Sequence, residues 1–338
     1  MWEENKLEHL LKKKLLEDLP KSDAEALFGN YTTARDALLK QVLEEIKSQE
    51  SDLTDHGPNH VADVMDNVFR LIESARLDGR SIFLLAVATL YHDVGNIFGR
   101  EKHNLALLKV FNDTYPKSGQ AYKRVKSLVN TIAGAHTGKA RDGSKDTLKD
   151  LTNSDSFMKD KVHPRELAAI LRFADELAEG PQRTSSYKIK HKLIDSISMI
   201  YHAYAICCEP AVIDEDNQRI ALTYPISIKN QNGTLYLHEC EITLEDMLTY
   251  IYTRVHKLDV ERKYCKHYAP KILNQFVKVS AVFEFWLDDD EQLHFDKNPL
   301  ELDDLVNLDD ELKIPSLNPS FLPATIVNDL QGQIDDHS

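Results

Sequence analysis

The sequence predicts a mainly α-helical protein, in which a helical bundle is followed by a smaller α+β region with a short antiparallel sheet. From residue 3 to residue 179, apolar residues recur at the spacing of helix faces. From about Ser185 onward, β-branched and aromatic residues become frequent, and two runs of them flank a turn signal at residues 214–217. Phe276–Leu287 then alternates apolar with polar residues, which is typical of a half-buried strand.

The chain is long enough for one large domain or two smaller ones, because 338 residues can bury a sizeable core. The changes in pattern predict four segments. Residues 1–50 form N-terminal helices that pack on the core, residues 51–184 form the helical core, residues 185–290 form the α+β region, and residues 291–338 form an acidic arm. The arm is punctuated by prolines, so we expect it to be extended or loosely ordered.

Charge and cysteine usage restrict the class of protein. The net charge of −14 argues against a protein that coats nucleic acid, although it leaves room for a local basic patch. No two cysteines form a CxxC pair and two are adjacent, which indicates reduced thiols rather than a disulfide framework. They are Cys207, Cys208, Cys240 and Cys265.

The N-terminal segment and the most apolar run predict the location. The residues after Met1 are charged and lack a signal-peptide core. The apolar run Ile82–Leu90 is too short to span a bilayer. We therefore expect a cytoplasmic protein that does not contact a membrane, and homo-oligomerisation stays open.

Apolar periodicity predicts the order of the elements. Glu3–Leu19 and Thr33–Gln49 are amphipathic helices, with Thr32 or Thr33 as the cap of the second. Gly57-Pro58 is a turn that feeds another helix with proline at its first position. Further helices are predicted at Arg100–Thr114, Ser118–Ala135, Pro164–Glu179 and Thr243–Tyr268. The predicted strands are Ile206–Ile213 and Arg219–Ile228, which form a hairpin, and Phe276–Leu287, which adds to it as an antiparallel strand.

The stretch from Leu84 to Asn96, LLAVATLYHDVGN, starts as an apolar run of about three helical turns and ends in His92-Asp93. A helix that is apolar on every side is buried, and its ionisable end residues then need partners because unpaired buried charge is costly. Gly95 suits the position just past a helix end. Two interpretations are open at this point: the pair binds a metal ion, or it is a capped helix end with a paired Asp93.

Other polar residues fall on the apolar faces of neighbouring helices. His60 lies in the first turn of the helix that starts at Pro58, and His103 shares a face with apolar residues. His136 and Asp175 each follow the apolar periodicity of their own segment. A single residue of this kind is more often structurally paired than functional. Five polar groups aimed inward from five helices favour a shared site.

This ordered set resembles the HD-domain metal-dependent phosphohydrolases, whose signature is a His, a His-Asp doublet at a helix end and a distant Asp in an apolar helix. The matching residues are His60 in HVADV, His92-Asp93 in YHDVGN and Asp175 in LRFADEL. Two further histidines, His103 and His136, match positions that mark family members with two metals. The resemblance covers about residues 31–184, and the opening TDHGPNH is similar to a bacterial HD subgroup of conflict and signalling systems.

The resemblance implies a site for one or two divalent transition-metal ions. Imidazole and carboxylate ligands suit Mn, Fe, Ni, Co or Zn better than Ca, with Mg as an alternative. The reaction would be hydrolysis of a nucleotide or a related phosphomonoester or phosphodiester by a metal-activated hydroxide, with Asp93 as a bridge between two ions. The implied ligands are His60, His92, Asp93, His103, His136 and Asp175.

Further side chains suit a phosphate substrate. His56, in the loop before the first ligand, could protonate the leaving oxygen, or it could cap a turn as an ordinary loop histidine. Lys139 and Arg141 follow the last histidine of the set, and Arg183 follows the helix of the last aspartate; each could contact phosphate or lie on a solvated surface. We favour Arg183, so that Asp93, His56 and Arg183 are the expected catalytic residues.

The chain departs from the family at two points. Many members read HDIGK, whereas this chain reads HDVGN, so Asn96 replaces a phosphate-facing lysine. The Gly-Tyr-Pro extension of the subgroup that cleaves cyclic-di-GMP does not follow His136, and we do not assign that substrate.

Three functions stay open. The complete ligand set favours a phosphohydrolase. The missing lysine and the unexplained C-terminal half favour a sensor or assembly module that binds metal or nucleotide without turnover. A nuclease acting on single strands would need a basic groove, and the net charge of −14 argues mildly against nucleic acid as the partner.

Overall fold

The computed structural model describes residues 2, 4–49, 54–99, 103–117, 121–238, 240–305, 314 and 318–336, without the side chains of residues 47–49 and 103–105. The chain divides into two compact units. The first is helical and the second combines helices with a sheet, which confirms the predicted mainly α architecture with an α+β region. The first consists of Met1–Glu50, His56–Ala178 and Tyr264–Asn274, and the second of Ser51–Asp55, Glu179–Lys263 and Gln275–Ser338.

The first unit is built from consecutive helices and one small hairpin. The helices are α1 (Lys6–Asp18), α2 (Lys21–Leu38), α3 (Glu44–Gln49), α4 (Pro58–Ile72), α5 (Gly79–Tyr91), α6 (His103–Thr114), α7 (Tyr122–Ala133) and α8 (Pro164–Glu176). A π-helical turn at Leu39–Leu43 joins α2 to α3, and 3-10 turns follow at Val94–Phe98 and Leu148–Asp150. The antiparallel hairpin is formed by β1 (Asp155–Phe157) and β2 (Asp160–Val162).

The second unit contains a 3-10 turn at Pro181–Arg183 and two short helices, α9 (Ser186–Lys190) and α10 (Met199–Ile206). The strands are β3 (Val212–Asp214), β4 (Arg219–Gln231), β5 (Thr234–Leu237), β6 (Lys278–Leu287), β7 (Glu291–Leu293) and β8 (Leu300–Asp303). The remaining helices are α11 (Leu244–Tyr268), α12 (Pro270–Leu273) and α13 (Pro323–Asp336), preceded by a 3-10 turn at Pro319–Phe321. The end of α11 and all of α12 belong to the first unit. Within the described part of the chain, the four cysteines are thiols rather than disulfide partners, in agreement with the sequence.

The central element of the first unit is α5, which is buried on nearly all sides. The side chain of Asp78 caps it by accepting hydrogen bonds from the backbone of Arg80 and Ser81. Gly79–Phe98 is long and apolar enough to cross a bilayer by length and composition alone, but 89% of its most apolar window is buried inside the protein. Its neighbours are α1, α2, α4, α7 and α8, so the apolar surface is covered by the protein's own helices.

Several helix ends differ from the predictions. The second helix begins at Lys21 rather than Thr33, because the hydroxyls of Thr32 and Thr33 bond to the carbonyl oxygen of Gly29 within the helix instead of capping it. Gly95 does not end α5, since it lies inside the next 3-10 turn. The residue after that turn, Gly99, has a φ of 94°, which suits glycine.

The sheet of the second unit is mixed. The predicted hairpin exists between β3 and β4, but its first strand is shorter than the predicted Ile206–Ile213, because Ile206 ends α10 and β3 starts only at Val212. The prediction that β6 adds as an antiparallel strand is wrong, because β6 pairs with β4 in parallel. The reason is the connection: after β5, the chain returns through the 25-residue helix α11, and a long helical crossover brings the next strand back in the same direction. Among the described residues, β5 pairs with β4, and β7 and β8 pair with β6.

The region after residue 290 also differs from the predicted loose arm. β7 and β8 extend the sheet, and α13 buries Ile326, Leu330 and Ile334 at a spacing of four residues. These apolar residues are few and lie among acidic ones, so the average composition conceals them. Residues 306–313 and 315–317 lie outside the described part of the chain.

Candidate metal centre

His60 enters the centre from the first turn of α4. Pro58 is the first helical residue, and its fixed φ suits a helix start. The His60 side chain is 1% exposed. Further along α4, the buried Asn67 donates a hydrogen bond from Nδ2 to the carbonyl oxygen of Ala174 at 3.1 Å. This bond ties α4 to α8 one residue before Asp175.

His92 and Asp93 lie where the apolar helix α5 ends. His92 Nδ1 hydrogen-bonds the carbonyl oxygen of Thr89 at 2.8 Å. Because a carbonyl oxygen can only accept, Nδ1 carries the proton, and Nε2 of the neutral ring keeps its lone pair. His92 is 0% exposed and Asp93 is 5% exposed, so bulk water does not satisfy this nitrogen.

Four ligand atoms from α4, α8 and the end of α5 converge. The Nε2 atoms of His60 and His92 lie 3.3 Å apart, and Asp175 Oδ1 lies 3.1 Å from His60 Nε2. Asp93 Oδ2 lies 3.6 Å from His60 Nε2 and 3.5 Å from His92 Nε2. Two atoms that share an ion at about 2.1 Å lie roughly 3.0 to 3.4 Å apart in octahedral or tetrahedral geometry. The observed distances, including 3.7 Å between His92 Nε2 and Asp175 Oδ1, exceed the upper end of that range by at most about 0.3 Å. The four atoms therefore lie close to the spacing of ligands of one ion, and binding would draw them slightly together.

His136 contacts the second carboxylate oxygen of Asp93. It lies in the turn after α7, which ends at Ala133, two residues before the predicted helix end at Ala135. Its Nδ1 hydrogen-bonds the carbonyl oxygen of Ala133 at 2.6 Å, and its Nε2 lies 3.2 Å from Asp93 Oδ1. His103 begins α6, but its side chain lies outside the described part of the chain, and its role stays a prediction.

The charges of the centre favour a cation or a proton between the ligands. Burial lowers the pKa of His92, but the carboxylates of Asp93 and Asp175 raise it to about 9. Burial likewise raises the pKa of Asp175, but hydrogen bonds and positive charge from His60 and His92 hold it well below its usual range. A divalent ion can replace the protons, and neutral imidazole with carboxylate is a donor set that fits Mn, Fe, Ni, Co or Zn.

The sequence profile of the HD-CE family matches residues 50–257, which is more than half of the chain. The chain belongs to the HD-CE family. This confirms the HD-type domain predicted from the sequence, with a buried His-His-Asp group at its centre. Comparisons with curated proteins and with solved structures returned no match.

Three of the other predicted residues lie in the same unit as the HD-CE centre. His56 is buried, and its ring centroid lies 5.3 Å from that of His60. Lys139 and Arg141 are exposed in the loop that follows His136. The structure thus brings His56 beside the candidate ligand His60. It places Lys139 and Arg141 in the loop after the candidate ligand His136.

Arg183 belongs to the second unit of the HD-CE chain. It is buried, and its Nε donates to the carbonyl oxygen of Asp55 at 3.2 Å. Its Nη1 lies 3.5 Å from Oε2 of Glu179, whose other oxygen binds Arg254 at 2.6 Å. Arg183 would have to give up its contact with Glu179 in order to bind a phosphate group. Its catalytic role therefore stays a prediction.

Sequence reasoning missed the groups that orient the candidate ligands of the HD-CE centre. Thr89 and Ala133 supply the carbonyl oxygens that bind two of the imidazoles, each from three residues before its histidine. That local spacing is a signal that the sequence carries. The bond from Asn67 to Ala174 joins residues 107 positions apart, and no local pattern indicates it.

Proposed function

We propose that this HD-CE protein is a metal-dependent phosphohydrolase that cleaves a monoester or diester bond in a nucleotide or a related phosphate ester. The observation that carries the proposal is the convergence of candidate ligand atoms from His60, His92, Asp93 and Asp175, whose mutual distances of 3.1 to 3.7 Å are close to those of ligands of one ion. One or two bound divalent transition-metal ions would supply hydroxide near neutral pH and neutralise charge on the phosphoryl group. Burial of His60, His92 and Asp93 strengthens this effect because the local dielectric is low.

The two oxygens of Asp93 support a second ion. Oδ2 faces the imidazoles of His60 and His92, while Oδ1 lies 3.2 Å from Nε2 of His136. A carboxylate with ligands on both sides can bridge two cations. His103 is proposed to complete the position next to His136.

His56 is proposed as the general acid. Its ring meets that of His60 at an interplanar angle of 61°, with centroids 5.3 Å apart. A proton donor beside a ligand is well placed to reach the leaving oxygen of a substrate at the centre. Imidazole is the side chain that most often transfers protons near neutral pH.

Lys139 and Arg141 are proposed to bind the phosphate groups. Both are exposed in the loop that starts at His136, and they give this loop a local positive charge in a chain of net charge −14. Arg183 is proposed as a third cation. Its contact with Glu179 is 3.5 Å long, which is longer than a normal charged hydrogen bond and therefore easier to exchange.

Metal content and hydrolysis, measured on the same preparations, test the proposal. The full chain is loaded with Mn, Ni, Co, Mg or Zn and incubated with nucleoside mono-, di- and triphosphates, cyclic and linear dinucleotides, and short single strands. We expect turnover that disappears in His92→Ala together with the metal and persists in His163→Ala. His163 is a matched control, since this half-exposed histidine precedes α8 and bonds the carbonyl oxygen of Asn153 at 2.8 Å.

The other outcomes lead to different functions. Turnover that survives in His92→Ala would place the chemistry elsewhere in the chain. Bound metal and tight nucleotide binding without turnover on the whole panel would replace the hydrolase with a sensor. Cleavage restricted to single strands would identify a nuclease.

A further inference from the structure

The turn that carries His136 is held by hydrogen bonds of its own. Both polar groups of the peptide unit between Ala135 and His136 form hydrogen bonds. The N–H of His136 donates to the carbonyl oxygen of Ala133 at 3.3 Å, and Thr147 Oγ1 donates to the carbonyl oxygen of Ala135 at 2.6 Å. Because this peptide sets the direction of the imidazole, Thr147 helps to keep Nε2 directed at Asp93.

Thr147 is also bound to α8. It is 7% exposed, and its Oγ1 accepts a hydrogen bond from Arg172 Nη1 at 3.1 Å. Arg172 precedes Asp175 by three residues, so both side chains lie on the same side of α8. One hydroxyl therefore joins the turn of His136 to the helix of Asp175. Valine has the same shape but neither donates nor accepts, and it could not replace this hydroxyl.

The last turns of α11 hold the residues on either side of Thr147. Tyr264 Oη donates to Asp146 Oδ1 at 2.8 Å and accepts from the backbone N–H of Leu148 at 3.1 Å. Tyr268 Oη donates to the same carboxylate at 3.0 Å. The two tyrosines lie beyond residues 50–257, so the family match does not account for them.

Arg172 links the contacts of Thr147 to the contacts of Tyr264. Its guanidinium donates to Thr147 and lies over the ring of Tyr264, 4.6 Å from the centroid. A cation over an aromatic ring is attracted to its face, so Tyr264 restrains the donor as well as the loop.

We propose that five residues, called the clamp, position His136 for metal binding. The clamp consists of Asp146, Thr147, Arg172, Tyr264 and Tyr268. They are positioning residues, because they act through His136. The inference rests on the proposed metal centre and deepens it, since the end of α11 becomes part of its support. Loss of residues that orient metal ligands typically weakens metal binding by about 10–100-fold.

Metal affinity, measured apart from activity, tests the clamp. Mn²⁺ or Zn²⁺ binding to the full chain is followed by equilibrium dialysis, and melting temperatures are recorded in EDTA and at saturating metal. Thr147→Val should weaken the ion at His136 by about 10–100-fold and reduce the metal-induced rise in melting temperature. Thr147→Ser keeps the hydroxyl and should restore both. The control Thr131→Val removes a hydroxyl that donates to the carbonyl oxygen of Ser127 at 3.0 Å on α7, and should leave binding unchanged.

Two tyrosines on α11 form a second matched pair. Tyr264→Phe removes the bonds to Asp146 and Leu148 and should weaken metal binding in the same direction as Thr147→Val. Tyr252→Phe removes a bond to the carbonyl oxygen of Phe321 at 2.8 Å and should not change metal affinity.

The outcomes separate the clamp from the proposed function. Variants that melt lower in EDTA but bind metal as the wild type does would show a merely structural role and overturn the inference. If Thr147→Val does not fold, Tyr264→Phe against Tyr252→Phe decides in the same way. A wild-type protein that binds neither Mn²⁺ nor Zn²⁺ would remove the proposed function, and the clamp with it.

Discussion

Metal binding at this centre should displace a proton from His92. Although burial lowers the pKa of His92, Asp93 and Asp175 raise it to about 9 in the metal-free protein. An unperturbed histidine has a pKa of about 6.5, and each pKa unit corresponds to about 1.4 kcal/mol. The protonated ring is therefore stabilised by about 3 kcal/mol in the folded state. A metal ion must remove this proton, because the ligand is the neutral ring.

The pH dependence has a defined sign. Since the folded pKa is the higher one, the stability that protonated His92 gives to the metal-free protein is complete below about pH 6.5. It is lost as the pH rises through about 9. Metal-loaded protein has a neutral His92 and lacks this contribution. Because metal competes with this proton in the folded protein, apparent metal affinity should rise about tenfold per pH unit below about pH 9, and then level off.

Calorimetric titration measures both the apparent metal affinity and the number of protons that metal binding releases. Metal is titrated into the full chain at several pH values, in two buffers that differ in ionisation enthalpy, which yields the affinity and the number of protons released. We expect about one proton from His92 near pH 7. His163→Ala should release the same number. A pH-independent affinity with no proton released would refute the coupling between His92 and the two carboxylates.

Three further predictions concern the second ion, the general acid and the second unit. His136→Ala and His103→Ala should each remove one ion and leave the other in place, as counted by elemental analysis; two ions in both variants would show that these histidines are not ligands. His56→Ala should slow nucleotide hydrolysis by about 10²-fold and slow bis-p-nitrophenyl phosphate less, because a phenolate leaves without protonation. Equal losses on both substrates would exclude the acid role. Arg262 is fully buried and binds Asp259, Asp304 and the carbonyl oxygen of Phe276. Arg262→Met should lower the free energy of unfolding by about 3 kcal/mol, which is the low end of the range for a broken buried ion pair. The loss is at the low end because Asp259 keeps a second partner, Lys263, whose Nζ lies 2.8 Å from Asp259 Oδ2. Denaturant unfolding measures this, and Arg262→Met with Asp259→Leu should recover part of the loss; a double variant no more stable than Arg262→Met would contradict the pairing argument.

Much of the arrangement of the candidate centre could be predicted, because local sequence sets the position of its candidate ligands. Proline at position 58 starts α4 and so places His60 in its first turn. The apolar run before His92 forms a buried helix, and the doublet lies at its end. Asp175 follows the apolar periodicity of α8. Each of these signals lies within a few turns of the residue concerned, so a single sequence contains it.

The features that could not be predicted depend on distant parts of the chain. The parallel pairing of β6 with β4 follows from the length and return direction of α11, which strand alternation does not encode. The bond from Tyr264 to Asp146 joins residues 118 positions apart. His136 lies past the end of its helix, where the apolar period no longer sets the direction of a side chain.

The first unit is discontinuous in the chain, because Tyr264–Asn274 belongs to it and is separated from the rest by residues of the second unit. During synthesis, the proposed ligands from His60 to Asp175 are therefore translated before Tyr264. The 89 residues from Asp175 to Tyr264 take roughly 4 to 18 s at about 5–20 residues per second. For that interval the nascent chain contains these ligands without the tyrosines that support the turn of His136. Metal loading is thus expected to be a late step of biogenesis, and a ribosome-stalled chain that ends before residue 264 should bind metal more weakly than the released protein.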